Sequence, residues 1–74
     1  CSDYAITKYK SEITAILNQV KKSNVQKYNA LKIQQKQWLK KTEKSCENSQ
    51  VHYTYCMYGE YDENLTKLKK QLNS

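Results

Sequence analysis

The side chains able to do chemistry are few: Cys1, Cys46, Cys56 and the single histidine, His52, beside seven tyrosines and seven carboxylates in 74 residues. Cys46, His52 and Cys56 lie close together in the chain. A zinc site needs three or four ligands at suitable spacing, and only these three candidates gather. Two cysteines ten positions apart are better read as a bridge closing a short loop, worth roughly 2–3 kcal/mol in the chain-entropy model. Such a bridge implies an oxidising compartment and therefore export. It also consumes the thiols that a cysteine–histidine nucleophile would need. Carboxylates working as acid and base require a cleft, which so small a helical chain rarely builds. With one Gly in the whole sequence there is no phosphate-cradling loop either. The expected chemistry is therefore binding or inhibition without catalysis, metal or cofactor.

The elements that must position these residues follow from periodicity. Leu31, Gln35, Trp38, Leu39, Thr42 and Cys46 recur at three- and four-residue steps, so on a helix they share one face. Tyr28 extends that face. Cys46 then sits about two turns beyond Trp38, the only tryptophan. An earlier stripe, Ile6, Tyr9, Ile13, Ile16, Leu17 and Val20, opposes Lys8, Glu12, Asn18 and Lys22. A later one runs Tyr58, Tyr61, Leu65, Leu68 and Leu72. With no Pro and one Gly, nothing interrupts long helices. The sequence predicts a single all-α domain over 1–74, a small helical hairpin or three-helix bundle stapled by a disulfide. Residues 1–4 are a lead-in or anchor, and helices span 5–22, 24–47 and 53–72. Ser23 or Asn24 caps the second helix, and the chain folds back there to bury its stripes. Core positions are Leu31, Trp38, Leu39, Leu65 and Leu68. Gln35 lies on an apolar face and needs a hydrogen-bond partner there. Gly59 weakens the third helix and leaves room for close approach of a neighbour. Asn64-Leu65-Thr66 matches a glycosylation sequon, but a helical position argues against its use.

A 74-residue chain with 38 % hydrophobic residues and a mean hydropathy of −1.01 needs the help of a disulfide. Its net charge is +6, carried by 13 lysines and no arginine. Nucleic-acid binders rely on Arg for bidentate contacts, and these lysines are scattered along the chain, so a solvated face is expected rather than a nucleic-acid surface. Tyr53, Tyr55, Tyr58 and Tyr61 crowd around Cys56, next to His52. Tyrosine buries area at low entropic cost and keeps a polar tip, which suits a protein-binding patch. The same four rings would also serve to roof a core that has no Phe.

Cys1 is left over from the bridge. Bacterial lipoproteins begin with a cysteine that becomes lipidated, and that is the expectation here; a free thiol or a bond to a cysteine elsewhere are the alternatives. No apolar run is long enough to span a bilayer. Membrane association would rest on that N-terminal lipid, with the chain in the periplasm and anchored to the outer membrane.

The stretch from Leu31 to Cys56 resembles the LprI-like lysozyme-inhibitor domain family of bacterial envelope proteins. Its members carry a helix with Leu, a Gln three residues before Trp, an aliphatic after it and a Cys eight residues on, matched here by Leu31, Gln35, Trp38, Leu39 and Cys46. A second cysteine then opens a last helix rich in Leu and charge, as do Cys56, Leu65 and Leu68. Two features depart from the pattern: Thr42 and Glu43 stand where a basic–acidic pair is usual, and of a second N-terminal cysteine pair only Cys1 is present. The resemblance implies a disulfide-bonded helical fold and an exported, often lipidated, inhibitor of lysozyme. The competing expectation is a phage- or plasmid-encoded superinfection-exclusion lipoprotein that blocks an outer-membrane receptor protein. The residues expected to meet a protein partner are His52, Tyr53, Tyr55, Tyr58 and Tyr61, and the +6 charge would suit acidic receptor loops in the second reading.

Overall fold

A computed structural model describes residues 2–73, with side chains from Tyr4 onward. It contains three α-helices and, among the described residues, no strand: α1 (Ser2–Ser23), α2 (Val25–Glu47) and α3 (Tyr53–Asn73). The all-α fold and the Cys46–Cys56 disulfide are therefore as the periodicity and the cysteine spacing predict. Ser2 to Tyr4 belong to α1 rather than to a lead-in, because no Gly or Pro stops the helix from extending to them. Cys1 lies outside the described residues.

Asn24 alone separates the first two helices. Its backbone is extended (φ −157°, ψ 96°), and its side-chain oxygen accepts a hydrogen bond from the Lys27 N–H at 3.1 Å. That N-cap satisfies one of the unpaired donors at the start of α2. Ser23 closes α1 instead, its hydroxyl donating to the Val20 carbonyl at 3.2 Å. Lys21 reaches across the reversal to the Tyr28 ring, so α2 runs antiparallel to α1.

The disulfide sets the second reversal. Cys46, in the last turn of α2, and Cys56, in the first turn of α3, have Cα atoms 5.6 Å apart. Between them Asn48 donates from both its backbone N–H and its side-chain amide to the Lys44 carbonyl, and Ser49 turns the chain through its hydroxyl contact with the Val51 N–H. α3 therefore returns beside α1 in the same direction, with Tyr9 against Tyr58 near one end and Val20 and Leu72 lining a common depression near the other.

The core is one cluster drawn from the three stripes. Ile13, Leu31, Cys46, Met57, Tyr61, Leu65 and Leu68 are buried, and Trp38 and Leu39 pack half-buried against them. Thr42 and Asn64 are buried polar neighbours of that cluster. Gln35 finds its partner in Asn64: the two amides exchange hydrogen bonds of 2.7 and 3.2 Å across the α2–α3 seam. Gly59 is not a close-approach site. Among the described residues nothing lies within 4 Å of where a Cβ would stand, because this face of α3 looks away from both partner helices.

Candidate functional site

The end of the bundle that carries the disulfide gathers most of the residues named for partner binding. Tyr53 and Tyr55 are exposed in the first turn of α3, and Tyr55 is open over 64 % of its surface. Tyr58 is half-buried, stacked on Tyr9 of α1 at 5.7 Å and in an edge contact with Tyr55 at 6.4 Å. Tyr9 donates its phenolic hydrogen to Asp62 at 3.2 Å. Desolvation first, then the hydroxyl contact with Tyr58 and the charge of Asp62, push the Tyr9 phenol up to about 12. Tyr53 is also raised, by desolvation and then by Glu43 and Glu47 nearby.

One expectation needs revision. Tyr61 is not part of the exposed patch. At 4 % exposure it belongs to the core, its ring meeting Trp38 edge-on at 5.1 Å, because position 61 shares the α3 face with Leu65 and Leu68. Burial raises its phenol, with Glu43 and Tyr53 adding to the effect. His52 has a local structural task. Its carbonyl accepts from the Cys56 N–H at 2.9 Å, and its ring Nδ1 accepts from the Thr54 N–H at 3.3 Å. It thus caps α3 and fixes how the first turn presents Tyr53 and Tyr55.

Tyr4, 75 % exposed at this same end, carries no signal in the sequence, and Val51, 52 % exposed, lies in the cysteine loop beside it. Tyr4 falls outside the α1 stripe, and an isolated tyrosine in a helix carries no signal of its surroundings until α3 is placed beside it.

Folding also sorts the charges. Residues 2–12 and 40–63, which form the disulfide half, contain seven carboxylates and five lysines; residues 13–39 and 64–73, which form the other half, contain eight lysines and no carboxylate. Eight of the thirteen lysines thus fall in the half away from the disulfide, with Lys21, Lys22, Lys27, Lys69 and Lys70 at or near the helix ends there. Lys21, Lys22 and Lys70 stand in last helical turns, where the helix dipole favours cations. Lys27 opens α2, where the dipole opposes it. Among the described residues the ion pair formed is Lys67–Glu63, an exposed contact of 3.0 Å within α3.

Trp38 is flanked by two depressions. On the α3 side, one of about 300 Å³ is walled by Lys41, Ser45, Glu60, Glu63 and Lys67, a mixed-charge lining. On the α1 side lies a larger and more apolar groove. Among the described residues no group of three or more His, Cys, Asp or Glu side chains is placed to hold a metal ion, and no helix is long and apolar enough to cross a membrane. No family model matches this chain, and neither do the curated proteins or the solved structures compared with it.

Proposed function

We propose that this chain is a small exported binding protein whose disulfide end docks on a protein partner, and that the partner is a lysozyme. The observation that carries the reading is the meeting of exposed tyrosines with carboxylates at one end. Tyr4, Tyr53 and Tyr55 stand out from the surface where Glu43, Glu47 and Asp62 also lie. Many lysozymes are basic, so a +6 inhibitor would be repelled overall. The sorting of charge removes most of that objection. A partner approaching the tyrosine end meets the half richer in carboxylates, while the lysine pole faces away. The loop between Cys46 and Cys56 is held rigid by the bridge and the His52 cap, which lowers the ordering cost of binding. The resemblance of Leu31, Gln35, Trp38, Leu39 and Cys46 to the LprI-like pattern supports the same partner class. Lipidation of Cys1 and residence at the outer membrane belong to this proposal.

A cell-wall lysis assay with the purified, oxidised chain tests it. Inhibition should appear near equimolar protein and weaken on Tyr55→Ala and Tyr53→Ala, while the exposed pair Lys69→Glu/Lys70→Glu leaves it intact. No inhibition of any lysozyme type would remove the reading.

The lysine pole favours a second reading, an exclusion lipoprotein that blocks an outer-membrane receptor through acidic loops. Capture of such a receptor that is lost on Lys69→Glu/Lys70→Glu and kept on Tyr55→Ala would select it.

A further inference from the structure

The groove between α1 and α2 is unlike the rest of the surface. It has a volume of about 460 Å³, with Ile13, Leu39, Trp38 and Tyr61 as its floor and Lys10, Lys32 and Lys36 on its rim. Among the described residues no carboxylate lines it. Lys10 hangs over the Tyr61 ring, its Nζ 6.0 Å from the centroid, and among the described residues none of the three lysines is in an ion pair. Trp38, packed edge-on to Tyr61 below, is half-buried, and part of its remaining surface opens into this groove. The one nearby side-chain amide, Gln35, is already spent on Asn64.

We propose that this groove binds a single-chain amphiphile with an anionic headgroup, of the fatty-acid class. The apolar floor takes the chain, and the lysine rim takes the headgroup. Two arguments favour this occupant. The volume falls in the range of small-molecule sites, about 300–1,000 Å³, which are mostly apolar with a few polar groups fixing orientation. Charge selects an anion: three cations rim the apolar surface with no carboxylate among the described lining residues, so a carboxylate placed there is attracted to all three. A docked protein helix fits less well. A stable protein interface needs on the order of 1,000 Å² in total, and this floor is confined to four apolar side chains between two helices. The site is separate from the tyrosine end, so it stands or falls independently of the lysozyme reading.

The only tryptophan of the chain lies in the groove, so its fluorescence reports occupancy directly. The oxidised chain is titrated with sodium laurate below its micelle-forming concentration, in parallel with dodecyltrimethylammonium, a cation of similar chain length, and with phosphatidylglycerol vesicles. Laurate should give a saturable change in Trp38 emission, and the cationic amphiphile should not. Lys32→Glu/Lys36→Glu, two exposed positions, should weaken laurate roughly tenfold, the size of several exposed charge interactions lost or inverted together. Thr14→Phe, an exposed wall position, should fill the groove and abolish the response without altering charge. Tyr55→Ala should leave it unchanged. An equal response to both amphiphiles, or one that survives Thr14→Phe, would mean unspecific coating and would overturn the proposal. Vesicle association without a laurate response would also overturn it, assigning the lysines to a bilayer surface.

Discussion

Gln35 of α2 and Asn64 of α3 hold each other's side-chain amides through two reciprocal hydrogen bonds, 2.7 and 3.2 Å long, at the edge of the apolar core. Asn64 is only 8 % exposed, and no buried side-chain nitrogen or oxygen among the described residues lacks a partner. Geometry of this kind fixes the register of α2 against α3, because a slide of one turn would leave both amides unpaired in apolar surroundings. It also occupies the Asn64 side chain, which leaves the sequon at this position no accessible amide.

Asn64→Ala should therefore lower stability by about 1–3 kcal/mol, chiefly by leaving the Gln35 amide without its partner. Replacing both residues by Leu should recover much of that loss, since neither polar group then remains to be satisfied. Urea unfolding of Gln35→Leu, Asn64→Leu and the double Leu variant measures the coupling. Strict additivity would show that the pair contributes nothing as a pair.

Reduction of Cys46–Cys56, or Cys46→Ser, should lower stability by about 2–3 kcal/mol, as expected for a loop of this length. The loss should come without collapse of the helices, which are also joined by the core cluster. Thermal melts followed by far-ultraviolet circular dichroism, with and without reductant, provide the check. Identical midpoints would mean that the bridge does not stabilise the chain.

Gly59→Ala should stabilise the protein by about 0.5–1 kcal/mol, since the added methyl meets open space and α3 gains helix propensity. Denaturant midpoints for the two proteins decide this. A destabilised variant would require a neighbour against Gly59 that the fold does not place there.

Alkaline pH should weaken the fold. A phenol whose folded pKa is raised binds its proton more tightly when native. Its contribution is thus fully present below the ordinary tyrosine value of 10.0 and is lost as pH rises through the folded value, about 12 for Tyr9. Tyr61 and Tyr53 shift in the same direction. An ultraviolet titration of tyrosinate should resolve a late-ionising group that is absent in denaturant and lost on Tyr9→Phe. One uniform titration of all tyrosines near the ordinary value would refute the packing of Tyr9 against Tyr58 and Asp62.

What the sequence alone determined was local and periodic. Steps of three and four put Leu31, Thr42, Cys46, Leu65 and Leu68 on buried faces, and they are buried. Ser23-Asn24 and the closely spaced cysteines marked the two reversals, since capping and loop closure act over a few residues, but only the fold chose Asn24 over Ser23 as the cap. Periodicity also flagged Gln35 as a polar group on an apolar face, but not Asn64 as its partner. The rest depended on which faces meet. Tyr61 reads alike as patch or core until Trp38 lies against it, and Gly59 is open only because α1 and α2 pack on other sides of α3. Lysines far apart in the chain become one pole, and Lys10 becomes a neighbour of Lys32 and Lys36 across a groove, because antiparallel folding superposes distant residues. Helical repeats say which face is buried, but not which face it is buried against, and both the groove and the charge sorting arise from that second choice.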